Sequence, residues 1–145
     1  MNRRNLLQLT LASAAASVAA PRLAAAEEAP KPAPSMAGGV YFTSDHPGRW
    51  SKKVKSHVPQ IEKTVGPDGA LTLKITTNHK QYGYEHYIVK HVLLDGSYDF
   101  LAETMFDPEK DDAVSTYKLP DGYSGPVYAL SMCNKHDLWL AEATI

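Results

Sequence analysis

The sequence predicts an all-β protein, an antiparallel β-sandwich. Several segments alternate polar and apolar residues with a period of two, and few show a helical period. Turn-forming groups fall between them at regular spacing: Pro67-Asp68-Gly69, Asp95-Gly96, Asp121-Gly122 and Ser124-Gly125-Pro126. Short strands punctuated in this way suggest two packed sheets rather than a helical bundle.

The chain begins with Arg3-Arg4 ahead of a mildly apolar, alanine-rich run to Ala20, and Ala24-Ala25-Ala26 supplies the small residues of a cleavage site. Residues 1–26 therefore read as an export signal of the twin-arginine type. The run is too short and too alanine-rich to span a membrane well, so no span is expected after processing. Residues 27–39, rich in Pro, Ala and Gly, read as a flexible linker. Residues 40–145 then form one domain with a single core.

Cleavage would remove Arg3, Arg4 and Arg22, leaving 12 Lys and Arg against 16 Asp and Glu, a net charge of −4. That balance argues against nucleic acid as a partner. Export places the protein in the periplasm. There an unpaired cysteine is a liability unless something occupies it.

Within the domain, Leu71, Leu73 and Ile75 share one face of a strand, with Thr72, Lys74 and Thr76 on the other. His86 to Leu94, Tyr98 to Phe106 and Val127 to Cys133 are further strands. Leu138 to Ala143 is expected to be the last, although its residues fit a helix nearly as well. Asp107 to Asp112 lacks the spaced oxygen ligands of a calcium loop and reads as a solvated connection.

The chemistry is concentrated in one cysteine and some of the six histidines. Cys133 lies three residues before His136, close enough for a tight turn to aim both at one ion. A thiolate with imidazoles suits iron, copper or zinc rather than calcium or magnesium. His79 ends the Leu71 strand in phase with its apolar face, and a six-residue loop returns the chain to His86. His57 precedes Val58-Pro59, which holds the chain extended. His86 and His91 are five apart in one expected strand and so point to opposite faces. Mid-strand His91 reads as a packed or surface histidine rather than a ligand, and His46 as an exposed turn residue.

Three blocks, His57-Val58-Pro59 with Ile61-Glu62, His86-Tyr87-Ile88, and Cys133-Asn134-x-His136-x-Leu138-Trp139, resemble the superoxide reductases of the neelaredoxin and desulfoferrodoxin type. The resemblance covers roughly residues 50 to 139. It implies an immunoglobulin-like sandwich holding non-haem iron through four equatorial imidazoles and an axial cysteine sulfur. By position the ligands are His57, His79, His86, Cys133 and His136. It also implies reduction of superoxide to hydrogen peroxide, with an external, rubredoxin-like electron donor, and it leaves room for a homo-oligomer. The four-cysteine domain of two-iron members is absent from this sequence, which has one cysteine.

The family's Glu-Lys before the first histidine is Lys55-Ser56 here, and its second histidine, normally followed by proline six residues before the third, is His79-Lys80, seven before His86. Lys55, or a neighbouring lysine, is the candidate to replace the missing family lysine in attracting superoxide. Two other readings compete. A blue-copper electron carrier would use two histidines and Cys133, but no methionine follows His136. A non-catalytic iron-binding module on the same fold would keep the ligands without the activity.

Overall fold

The computed structural model describes residues 35–145, so the expected export signal and most of the expected linker lie outside the described residues. Seven strands follow a short helical segment. A 3₁₀ helix spans Gly48–Lys53 and runs into one α-helical turn, α1, Val54–His57. The strands are β1 (Gln60–Val65), β2 (Leu71–Thr76), β3 (Ile88–Leu94), β4 (Phe100–Met105), β5 (Val114–Lys118), β6 (Pro126–Cys133) and β7 (Asp137–Thr144).

They form two antiparallel sheets, ordered β1-β2-β5 and β4-β3-β6-β7, the sandwich the sequence predicts. Leu73, Ile75 and Tyr117 from the smaller sheet pack against Leu93, Val127 and Ala129 from the larger, with Leu119 beside them. Burying these side chains stabilises the fold by roughly 1.5–3 kcal/mol per large aliphatic residue.

The Leu138 to Ala143 segment, equally compatible with helix, is a strand because all eight residues of β7 pair with β6. Two strands carry weak sequence signals. β1 is an edge strand with only Ile61 facing inward, so it shows little alternation. β5 alternates cleanly in burial, but its inward residues are Ser115 and Tyr117, and a buried serine disguises the apolar period.

The buried serine has a reason. His91, fully buried on β3, places Nε2 2.9 Å from Thr77 Oγ1 and Nδ1 2.9 Å from Ser115 Oγ. Thr77 Oγ1 also lies 2.9 Å from Ser131 Oγ on β6. The sandwich interior thus holds a satisfied polar network that crosses between the sheets. Of the two readings the sequence allows, packed or surface, His91 is packed.

One end of the sandwich is built differently from the other. The start of β1 pairs with the end of β2, and the start of β3 with the end of β6. His57, His79, His86, Cys133 and His136 all sit at or just beyond these ends. A separate apolar cluster of Ile88, Phe106, Ala113 and Cys133 floors that end. The N-terminal turn closes against it. Gly48 has φ 45°, and a Cβ there would lie 2.1 Å from the Gly38 carbonyl oxygen, so only glycine fits.

Candidate metal centre

His57 arrives at the site as the last residue of α1. Val58 then turns extended ahead of Pro59, which halts the helix and sends the chain into β1. The His57 ring is 1% exposed and held from behind: Nδ1 lies 2.8 Å from Ser56 Oγ and 3.2 Å from the Lys53 carbonyl oxygen. Donation of Nδ1–H to that carbonyl leaves the Nε2 lone pair facing inward. Ser56, at the position of the family lysine, therefore helps to orient His57.

Cys133 ends β6 and His136 sits in the tight connection to β7, where Cys133 pairs with Asp137. The turn is pinned by Trp139 Nε1–H donating to the His136 carbonyl at 2.8 Å. Trp139 is completely buried and packs against both Phe42 and His57, at 5.7 Å between ring centroids in each case.

The sequence places His86 within a strand, but β3 begins only at Ile88, and a register irregularity separates Ile88 from Lys90. His86 instead belongs to the loop that leaves His79, where Tyr82 bridges to His86 and its ring stacks on the imidazole at 5.8 Å and 5°. Gln81 supports this loop by accepting from the Ile88 N–H through Oε1. Asn134 latches it to the Cys133–His136 turn: its Oδ1 accepts from Tyr87 N–H, and its Nδ2 donates to the Tyr84 and Glu85 carbonyls. Neither role is visible in the sequence, because each side chain acts on backbone of a distant segment.

The donor atoms converge. His57 Nε2 and His86 Nε2 each lie 2.9 Å from His136 Nδ1, and His79 Nε2 lies 3.1 Å from His86 Nε2. Cys133 Sγ is 3.5 Å from His136 Nδ1. The donors of His57, His86, Cys133 and His136 all fall within 4.8 Å of one another. Nitrogens gathered this closely could bond one ion of the kind that imidazole suits. His79 joins through the longer loop, which turns at Gly83 with φ 60°. The structure thus groups His57, His86, Cys133 and His136, with His79 Nε2 adjoining His86, whereas His46 is exposed and His91 lies in the core network.

The site histidines are held in their neutral form. Burial, followed by the repulsion of its histidine neighbours, holds His57 down at about 3 and His79 at about 4. Burial also lowers His86 and His136. Neutral imidazoles are the form that binds metal. Burial pushes the Cys133 thiol up, while the backbone N–H groups of Lys135 and His136 favour the thiolate. A metal ion would complete that stabilisation. Four imidazoles and a thiolate fit iron; a blue-copper centre would need only two of those imidazoles.

Residues 49–142 match the family model described as Desulfoferrodoxin. The chain belongs to the desulfoferrodoxin family. This family binds non-haem iron, and the His/Cys cluster is able to hold it. Among solved structures, the chain is similar to the superoxide reductase (neelaredoxin) from Ignicoccus hospitalis. That match has 26% identity and a TM-score of 0.62, and covers 74% of this chain and 95% of the other. A variant of the Archaeoglobus fulgidus superoxide reductase (neelaredoxin) in the reduced form matches at 28% identity and TM-score 0.53, covering 66% and 91%. The superoxide reductase from Nanoarchaeum equitans, at 17% identity, TM-score 0.55 and coverage of 63% and 94%, shares the fold. No curated protein matches the chain.

The lysines beside the family site are arranged unequally. Lys55 is exposed. Lys53 is half-buried, and its charge contributes to lowering His79, His86, His136 and Cys133 alike. Lys135 acts similarly on His86 and His136. Sequence spacing favours Lys55 for its adjacency to Ser56 and His57. In a helical turn, however, the residue four before His57 lies on the same face, and that residue is Lys53.

Proposed function

We propose that this chain is an exported superoxide reductase that converts superoxide to hydrogen peroxide at a His4Cys iron centre. The observation that carries the reading is the convergence of the His57, His86 and His136 nitrogens with the Cys133 sulfur at one end of the sandwich, with His79 adjoining through His86. Ferrous iron held by these residues would supply one electron to superoxide. The overall reaction takes up that electron and two protons, and releases one hydrogen peroxide.

The protein contributes the rest. His57, His79, His86 and His136 present neutral nitrogens, and Cys133 supplies the thiolate, with its sulfur in the apolar cluster under the site. Five protein donors would leave a held ion room for one small ligand. Lys53 and Lys135 place positive charge near His86 and His136 on a chain whose mature form is acidic, which favours approach of a small anion. Solvent at the half-exposed His86 and His136 edge gives protons a route. An external one-electron donor, such as a rubredoxin-like protein, must resupply the electron outside the cytoplasm. No described helix is long and apolar enough to cross a membrane.

The test is electron paramagnetic resonance of the oxidised protein purified without added metal, followed by superoxide kinetics. A high-spin ferric signal that mild reduction abolishes, with rapid peroxide formation from superoxide, supports the reading. A cupric signal, or iron without superoxide turnover, defeats it.

A further inference from the structure

Asp137 stands immediately after His136 with φ 61°, one of two described non-glycine residues in the left-handed region. That conformation strains a side-chain-bearing residue and persists where surrounding contacts over-determine it. Here the contacts are evident. One carboxylate oxygen, Oδ2, accepts from Trp50 Nε1–H at 2.8 Å and from Arg49. Held this way, the Trp50 ring meets the His136 ring edge-on, with centroids 4.7 Å apart.

These bonds have a particular place in the fold. Residues 48–56 carry Lys53 and lead into His57, yet the other side-chain hydrogen bonds of that stretch, Ser56 to Lys53 and Ser56 to His57, are local. Among the described residues, the side-chain hydrogen bonds joining the stretch to the Cys133–His136 hairpin all end on Asp137. His57 and His136 must hold their nitrogens 2.9 Å apart from opposite sides of this junction.

We propose that Asp137 is a positioning residue of the iron centre, clamping the 48–57 segment to the Cys133–His136 hairpin through Trp50 and Arg49. The proposal rests on the ligand assignment above and deepens it. The carboxylate fixes Trp50 against His136 and sets the distance between two ligands without touching the ion.

The experiment compares wild type with Asp137→Gly, Asp137→Asn, Trp50→Phe and the Asp137→Gly/Trp50→Phe double variant. Glycine suits the left-handed backbone, so Asp137→Gly is expected to fold. In metal-free protein, acrylamide quenching of tryptophan emission reports Trp50, because Trp139 is fully buried. Quenching should rise in Asp137→Gly and stay near wild type in Asp137→Asn, whose amide oxygen still accepts from Trp50. In iron-loaded protein, Asp137→Gly should change the rhombicity of the ferric signal and lower iron affinity or turnover about 10- to 100-fold. Trp50→Phe should reproduce part of that change, and the double variant should add little to Asp137→Gly alone. Unchanged quenching and an unchanged ferric signal in folded Asp137→Gly overturn the clamp, as does full additivity in the double variant. A wild type that takes up no iron defeats the ligand assignment instead, and the clamp is then decided by quenching alone.

Discussion

His57 Nε2 and His136 Nδ1 lie 2.9 Å apart although 79 residues separate them in the chain. One comes from a helical turn that Pro59 terminates, the other from a hairpin turn pinned by Trp139. Two neutral imidazoles turned toward each other this closely make sense as neighbours on one ion. Replacing either histidine with alanine should therefore abolish stoichiometric iron binding while leaving the β-sheet circular dichroism in place. Cys133→Ser should remove the sulfur-to-iron absorption in the visible region. Wild-type absorption in Cys133→Ser would exclude the sulfur from the ligand set.

Lys53 and Lys55 are two residues apart and differ in what they face. If the charge at the opening draws superoxide in, Lys53→Met should slow superoxide reduction at low ionic strength by roughly tenfold, within the range of electrostatic steering. The salt dependence of the rate should flatten as well. Lys55→Met should change neither. Stopped-flow kinetics at two ionic strengths decide the matter, and the reverse ranking would return the role to Lys55.

That contrast shows what the sequence could and could not convey. The cluster of His57, His86, Cys133 and His136 was legible because three motif blocks stand in a family's order. β3, β4 and β6 were legible because their segments are β-branched and mostly apolar, whereas β7 fits a helix nearly as well. β1 and β5 were not, since an edge strand with a single inward residue and a strand with an inward serine both lack an apolar period. Asn134, Arg49 and Asp137 were missed as contributors for one shared reason. Each acts on groups that only the closed sandwich brings near, and no local pattern records such contacts.

Asn134 ties the Cys133–His136 turn to the loop bearing His86 through three hydrogen bonds. Because the residue is exposed, water replaces part of what is lost in Asn134→Ala. Its stability should fall by only about 1–2 kcal/mol. The effect on the iron should be larger, a weakening of about 10- to 100-fold, as for other residues that orient ligands. Chelator competition measures the second quantity and urea unfolding the first. Equal iron affinity in Asn134→Ala would mean that the loop holds His86 unaided.

Export by the twin-arginine route predicts that precursor carrying Arg3→Lys and Arg4→Lys together accumulates inside the cell. The unaltered precursor should yield a periplasmic protein whose mass begins at Glu27. Cell fractionation with mass spectrometry tests both statements, and periplasmic recovery of the double variant would point to a general secretory signal instead.

His91 gives the metal-free protein an acid limit that is independent of the iron site. Its two ring nitrogens meet the hydroxyls of Thr77 and Ser115, and burial holds it down to about 4, against 6.5 for the free side chain. A neutral ring can donate through one nitrogen and accept through the other. The two hydroxyls could accept from both nitrogens of a protonated ring, so it is the burial of the charge itself that disfavours protonation. Above pH 6.5 the histidine is neutral in folded and unfolded chains, so it adds no slope. Between 6.5 and about 4 the unfolded chain binds the proton more readily, and stability falls as the pH falls. The loss attributable to His91 reaches about 3 kcal/mol near the bottom of that window. His91→Gln can bond both hydroxyls but does not titrate. Its stability relative to wild type should therefore rise by about that amount on going from neutral pH to about pH 4, read from urea unfolding of metal-free protein. A difference that stays constant with pH would show that His91 keeps the same affinity for its proton in both states, and the network would then be structural only.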